Sequence, residues 1–423
     1  MTWAWPTRPR RVVITGMGMV TALGNDVAST WDGLVAGRSG VRTITAFDPS
    51  RLSVRIAAEV QGFDPSAILD RKDMRRTDRY IQFALYCAHQ ALVDAGLPGR
   101  LDGAMAERAG VIIGSGLGGV STLFDNVLLM GERGPDRISP FFVPMGIANV
   151  GAGQVAIACG ALGPNFATVS ACATGGHAIG EAWETIRRGD ADVMLAGGVE
   201  AGIHEATLGG FASMKALSTR NDDPAGASRP FDSGRDGFVV GEGGGVLILE
   251  ALEHAEARGA LPLAEVVGYG ATADASHITL PAPGGIGAVR AARRALEKAG
   301  LDPSDVDHVN AHATSTYEGD KAEMAALRTI FGDHAGAVAV TANKSMLGHT
   351  LGAAGAIEAI ATIQALRTGT VPPTINLTDP DENAAGLDLT PNVATHRALR
   401  VGVSSSFGFG GQNTALAFLR WDG

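Results

Sequence analysis

The strongest constraint in this chain is an alternation. Short runs of β-branched and apolar residues recur along its length, each followed by a turn and then an alanine-rich stretch with helical spacing. Val12-Val13-Ile14-Thr15-Gly16 predicts a strand ending in a glycine turn. Residues 79–95 predict a helix, because Ile81, Ala84, Leu85, Ala88, Leu92 and Ala95 fall on one face. Val111-Ile112-Ile113-Gly114 predicts a second buried strand. Such alternation favours an α/β fold with covered sheets.

Two segments look like copies of one unit. In the first, Phe166-Ala167-Thr168-Val169-Ser170 predicts a strand that leads into Ala171-Cys172-Ala173-Thr174-Gly175-Gly176-His177. A helix follows and stops at Arg187-Arg188-Gly189. In the second, residues 337–341 predict a strand leading into Lys344-Ser345-Met346-Leu347-Gly348-His349. Its helix runs through Ala353 to Leu366 and stops near Gly369. The repetition suggests two related halves, residues 1–255 and 256–423, meeting around 252–263.

Composition removes several functional classes. The net charge of -10 does not suit a protein that coats nucleic acid or an anionic membrane. Three cysteines, Cys87, Cys159 and Cys172, are too few and too oddly spaced for a disulfide framework or a structural zinc site. No apolar stretch is long enough to span a bilayer, and residues 1–11 hold no apolar signal core. The expectation is a reducing, cytoplasmic setting without a bound metal.

Cys172 stands where a strand hands over to a helix. A helix N-terminus favours thiolate through its dipole and free N–H groups, and the small residues around Cys172 leave room for an acyl chain. Most free cysteines are buried packing residues, and that alternative stays open on spacing alone. Cys87, inside the amphipathic helix, and Cys159, in an Ala/Gly run, suit packing.

Two of the ten histidines have distinctive settings. His312 sits at a strand end before Ala313-Thr314-Ser315-Thr316, and His349 between Gly348 and Thr350 just before a helix. Both positions suit an imidazole that moves a proton in a cleft, or one with a structural hydrogen bond. Lys344 precedes the same turn, and Glu358 follows inside an alanine-rich helix. A carboxylate there is either exposed or buried against a partner such as Lys344. Ser405-Ser406-Phe407-Gly408-Phe409-Gly410-Gly411 predicts a flexible loop able to offer a backbone N–H to an oxyanion. No Gly-Lys-Ser/Thr follows it, and Gly114-x-Gly116-x-Gly118-Gly119 lacks dinucleotide spacing, so nucleotide binding is rejected.

These motifs occur in one order: Val169-Ser170-Ala171-Cys172-Ala173-Thr174-Gly175, Ala227-Ser228-Arg229-Pro230-Phe231-Asp232, Arg235-Asp236-Gly237-Phe238, Asn310-Ala311-His312-Ala313-Thr314-Ser315-Thr316, Asn343-Lys344-Ser345-Met346-Leu347-Gly348-His349 and Phe407-Gly408-Phe409-Gly410-Gly411. From about residue 11 to 419 the chain resembles the elongating β-ketoacyl-[acyl-carrier-protein] synthases, most closely the synthase II group. The resemblance implies the thiolase fold, two βαβαβαββ halves in a five-layer α-β-α-β-α stack. It also implies a homodimer in which residues 165–170 pair across the two-fold axis.

The resemblance further implies a decarboxylative Claisen condensation. Cys172 would hold the acyl chain as a thioester, and His312 and His349 would assist decarboxylation of malonyl-carrier protein. The N–H groups of Cys172 and Phe409 would receive the oxyanion, with Lys344 and Glu358 as the supporting pair. Thr314 and Thr316 would hold the pantetheine arm, Leu117 and Phe211 would bound the acyl pocket, and Phe409 would gate it. No cofactor is implied, since 4'-phosphopantetheine arrives on the acyl carrier protein. Tyr317-Glu318 stands where the family usually has proline and a small or aliphatic residue, and Gln412 where threonine or histidine is common.

Arg71, Lys72, Arg75, Arg76 and Arg79 form a basic stretch in an acidic chain. Lys72, Arg75/Arg76 and Arg79 have one-face helical spacing, which suits an acidic carrier protein; the alternative is a solvated face balanced by Asp70, Asp73 and Asp78. A thiolase would need a second catalytic cysteine, and none follows Cys172. An initiating synthase would carry asparagine at position 349. A type II polyketide ketosynthase shares the Cys-His-His pattern, and a non-catalytic chain-length-factor-like subunit would lack Cys172.

Overall fold

The computed structural model describes residues 9–423; residues 1–8, and with them most of the segment judged to lack a signal core, lie outside. The first half contributes strands β1 (Val12–Val20), β2 (Ala109–Gly114), β3 (Asn165–Phe166), β4 (Val193–Glu200) and β5 (Gly243–Ala251). Its principal helices are α1 (Arg79–Asp94), α2 (Val150–Cys159) and α3 (Thr174–Arg187). The second half contributes β6 (Ala264–Ala273), β7 (His308–Asn310), β8 (Ala339–Thr341), β9 (Val401–Gly408) and β10 (Gln412–Arg420). Its helices are α4 (Ile286–Ala299), α5 (Tyr317–Phe331) and α6 (Ala354–Thr368).

The strand order proves the repetition. The first half runs β3-β2-β4-β5-β1 and the second β8-β7-β9-β10-β6. In each, the second strand pairs in parallel with the third and fourth, and the fifth pairs antiparallel with the fourth and first. The two sheets meet where Val12, Val13 and Ile14 pair with Val266, Glu265 and Ala264.

Helices α3 and α6 fill the space between the sheets. Ile179 and Trp183 from α3 and Ile357 and Ile360 from α6 share one core with Ile14, Leu247, Leu249 and Leu416 from both sheets. Helices α1 and α2 cover the outer face of the first sheet, and α4 and α5 that of the second. The result is the five-layer α-β-α-β-α stack of the thiolase fold. Every residue of α6 from Ala354 to Leu366 is buried, so this helix is apolar all round rather than amphipathic. It packs tightly on α3: a Cβ at Gly355 would lie 2.6 Å from the Gly176 nitrogen.

The structure differs from several local expectations. The first strand does not turn at Gly16 but runs on to Val20; Gly16 is needed because the Ala91 carbonyl of α1 lies where its Cβ would be. The strand expected over 166–170 is only Asn165–Phe166. Beyond Phe166 the backbone bonds side chains instead of a ladder: the Ser170 N–H donates to Thr174 Oγ1 at 2.8 Å, and Thr168 Oγ1 donates to the Thr174 carbonyl at 2.9 Å.

The basic stretch is not one helical face. A short helix spans Arg71–Met74, and Asp78 caps a new one starting at Arg79. Arg71, Lys72, Arg75 and Arg76 are exposed, but Arg79 turns inward to a bidentate pair with Glu242 at 2.8 and 3.0 Å. Asp78 does not balance the stretch either; it is buried and accepts from Thr122.

Candidate active site

The nucleophile candidate sits on a strained turn. A single 3-10 turn, Ala171–Ala173, precedes α3, and Ala171 has φ of 49°, in the left-handed region that alanine avoids at a cost of about 1–3 kcal/mol. That conformation turns Cys172 out of the sheet line and into a cavity of about 650 Å³. Its neighbours permit close approach: a Cβ at Gly408 would lie 2.6 Å from the Ser170 carbonyl.

The three catalytic candidates come together. His349 Nε2 lies 2.9 Å from Cys172 Sγ. The His312 and His349 rings meet edge to face at 5.4 Å, and the ligand atoms of all three residues lie within 4.8 Å of one another. His312 lies two residues beyond β7 and His349 follows the short helix Lys344–Leu347, so the second half delivers both imidazoles to a sulfur of the first. Phe238 and Phe407 pack against the two imidazoles, each 5.4 Å away, which walls them from water.

Burial sets the protonation states. It pushes the Cys172 thiol up to about 12, while Lys344 and the Phe409 and Cys172 N–H groups pull in the opposite direction. The N–H groups pull toward thiolate as the sequence expectation has it, but burial outweighs them. Burial and the Lys344 charge hold both imidazoles well below the ordinary histidine value, so they stand neutral. A neutral thiol beside a neutral imidazole nitrogen is an arrangement for passing a proton at the moment of attack.

Lys344 and Glu358 form a buried ion pair, as one of the two sequence alternatives required. Burial pushes the Glu358 carboxyl upward against the pull of Lys344. The remaining expected residues also line the cavity. The Thr314 and Thr316 hydroxyls lie 3.0 Å apart, and Leu117, Phe211 and Phe409 form apolar wall. Tyr317 and Glu318 stand at the same cavity, and Gln412 follows the turn. The loop expected to be flexible is a tight hairpin turn between β9 and β10. The Gly410 N–H donates to the Ile278 carbonyl and the Asp274 N–H to the Gly411 carbonyl, each at 2.7 Å.

Sequence reasoning missed three buried acids. Glu323 accepts the N–H groups of His312 and Ala313 at 2.8 and 2.6 Å, fixing the backbone that carries His312. Asp320 accepts the N–H groups of Phe231 and Ser315, two non-glycine residues held at φ of 66° and 68°. Their signal was present: Asp320, Glu323, Met324 and Leu327 follow one helical stripe, so the acids occupy core positions. Glu200 is the third, and its signal is a carboxylate ending a fully buried strand.

Among the described residues, Cys172, His312 and His349 are the group whose donors could hold a metal ion. Among those residues no helix is long and apolar enough to cross a membrane.

Comparison with known proteins agrees with this geometry. The family model described as Beta-ketoacyl synthase, N-terminal domain, matches residues 9–255, and that described as Beta-ketoacyl synthase, C-terminal domain, matches residues 263–378. A protein named 3-oxoacyl-[acyl-carrier-protein] synthase 2 from Coxiella burnetii is 48% identical over 97% of this chain and 99% of its own. A solved β-ketoacyl synthase from Burkholderia phymatum is 39% identical with a TM-score of 0.90, covering 97% of this chain and all of the other. A ketosynthase of a type II polyketide system, solved with its acyl-carrier protein, is 34% identical with a TM-score of 0.89 over 98% of this chain and 100% of that one.

Proposed function

Since this chain belongs to the β-ketoacyl synthase family, we propose that it elongates acyl chains on an acyl carrier protein by decarboxylative Claisen condensation. The observation that carries this reading is the 2.9 Å contact between Cys172 Sγ and His349 Nε2, with His312 beside it in a cavity.

In the first half-reaction the Cys172 sulfur attacks the acyl thioester. Its proton passes to His349 and from there to the departing pantetheine thiolate, leaving the acyl group on Cys172. Malonyl-carrier protein then enters, its pantetheine arm held at Thr314 and Thr316. The bond to the carboxylate breaks, carbon dioxide leaves, and the pair of electrons becomes an enolate. Hydrogen bonds from His312, and from His349 in the tautomer that carries its proton on Nε2, stabilise its oxygen. The enolate carbon attacks the Cys172 thioester. The oxyanion rests on the N–H groups of Cys172 and Phe409, which also pull the thiol downward against its burial. Collapse releases the 3-oxoacyl product and the Cys172 sulfur, which takes up one proton. Burial and the Lys344 charge keep both imidazoles neutral, and Glu358 partners that charge. Leu117 and Phe211 bound the acyl chain. Pantetheine comes with the substrate, so the protein needs no cofactor of its own, and the reaction suits the cytoplasm.

The carrier protein fits the exposed cations Arg71, Lys72, Arg75 and Arg76 by charge. A homodimer is supported by the free edge of β3 and the apolar surface around it, where Phe166, Val169, Leu162 and Ile157 are exposed. Fatty acid elongation is favoured over the polyketide reading by the relative named 3-oxoacyl-[acyl-carrier-protein] synthase 2, at 48% identity against 34% for the polyketide ketosynthase. A chain-length-factor-like role is disfavoured by the presence of Cys172 in contact with His349.

The test is mass spectrometry after incubation with acyl-carrier protein. The Cys172 peptide gains the acyl mass, and adding malonyl-carrier protein removes it while releasing carbon dioxide and 3-oxoacyl-carrier protein. An enzyme that never acylates Cys172 would end the reading.

A further inference from the structure

Glu200 ends β4 as a fully buried carboxylate, and no step of the proposed reaction uses it. It accepts four hydrogen bonds. Ser115 Oγ donates to Oε1 at 2.7 Å and the Leu117 N–H to the same oxygen at 3.2 Å. The Gly116 and Gly352 N–H groups donate to Oε2 at 2.8 and 3.0 Å. Three of the four are backbone N–H groups, which can only donate, and the fourth is a hydroxyl. Burial pushes the carboxyl upward and these donors oppose it.

The four bonds join separate segments at one wall of the cavity. Ser115, Gly116 and Leu117 follow β2, and Gly352 opens α6. Leu117 and Leu351 converge just beyond Glu200: a Cβ at Gly202 would lie 3.2 Å from Leu117 Cδ1 and 3.3 Å from Leu351 Cδ1. Glu200, Leu117 and Leu351 all line the cavity that holds Cys172. We propose that Glu200 is a positioning residue that fixes the acyl-cavity wall at Leu117 and so sets which acyl chains Cys172 accepts. The inference rests on the acyl-transfer reading and adds the determinant of its specificity.

Glu200→Gln isolates the effect because it keeps the side-chain volume. Its amide has one oxygen for four donors. Turned to retain Gly116 and Gly352, it sets its NH₂ against the Leu117 N–H, so the wall residue is the contact released. Ser115→Ala removes a single donor from the same cluster and serves if the first variant fails to fold.

The experiment measures kcat/KM for acylation of Cys172 with a short, a medium and a long acyl chain, for wild type and both variants. In Glu200→Gln the long-to-short ratio changes by roughly tenfold or more, the scale on which one methylene is discriminated. In Ser115→Ala it moves in the same direction by less. A uniform loss across chain lengths, or an unchanged ratio in the folded variants, overturns the inference while leaving acyl transfer standing. Wild type that accepts no acyl chain overturns both.

Discussion

The two helix-opening turns at the centre of this molecule have nearly the same backbone and opposite contents. In the first, Ala171 at φ of 49° precedes Cys172 and a 3-10 turn runs into α3. In the second, Leu351 at φ of 50° precedes Gly352 and a 3-10 turn runs into α6. The first residues of α3 and α6, Thr174 and Ala354, share φ of -53° and ψ of -52°. At the first turn a sulfur faces two imidazoles across an open cavity. At the second, the Gly352 N–H is satisfied by Glu200, and the position matching Cys172 carries no side chain. Duplication supplied the strained backbone twice, and chemistry was installed once. The second turn instead became support for the first.

Removing the sulfur breaks this contrast most severely. Cys172→Ala should lower condensation by about 10⁴-fold or more while leaving the thermal midpoint nearly unchanged, checked by steady-state assay and calorimetry. A variant that condenses at an appreciable rate would place the nucleophile elsewhere.

Next in size is the buried pair. Lys344→Ala leaves Glu358 without its partner in the core, at a cost of about 3–5 kcal/mol in denaturant unfolding. The double variant Lys344→Ala/Glu358→Gln should recover part of that loss. An equal or greater loss in the double variant would mean the pair is not an isolated charge balance.

Reactivity against pH sharpens the comparison further. A thiol pushed up to about 12 is mostly protonated at neutral pH. Alkylation of Cys172 by iodoacetamide should rise by about tenfold per pH unit from 7 to 9 and continue upward. Cys87 and Cys159, buried in the apolar cluster, should stay unreactive in the folded protein. A plateau already reached at pH 7 would show a thiolate ionised at rest.

The second turn has its own test. A Cβ at Gly352 would lie 2.4 Å from the Gly116 nitrogen, so Gly352→Ala should cost about 1–3 kcal/mol, read as a lower denaturant midpoint. Unchanged stability would mean the second turn is slack and supports nothing. The smallest effect belongs to the surface. Charge reversal at Arg75 and Arg76 should raise KM for carrier protein several-fold in a salt-dependent way, with a soluble thioester unaffected. Equal effects on both substrates would remove the docking role.

Much of the site was legible before any coordinates. Cys172, His312, His349, Lys344 and Glu358 were each marked by an unusual local setting, and the resemblance placed them in one reaction. The duplicated strand-turn-helix was visible too, but its register was not. The matching turn is Leu351–Ala353, not Lys344–His349, because equivalence is set by backbone geometry where the two sequences have diverged.

By itself, the sequence determined the alternating layers, through the periodicity of its apolar residues, and the identity of the reactive groups, through the chemistry of single side chains. Tertiary structure alone decided their charge states and their supports. The thiol is neutral because of how completely the fold buries it. Glu200, Glu323 and Asp320 matter because of which N–H groups the fold brings to them. Both properties depend on distance and solvent exclusion between residues far apart in the chain, and no local pattern encodes those.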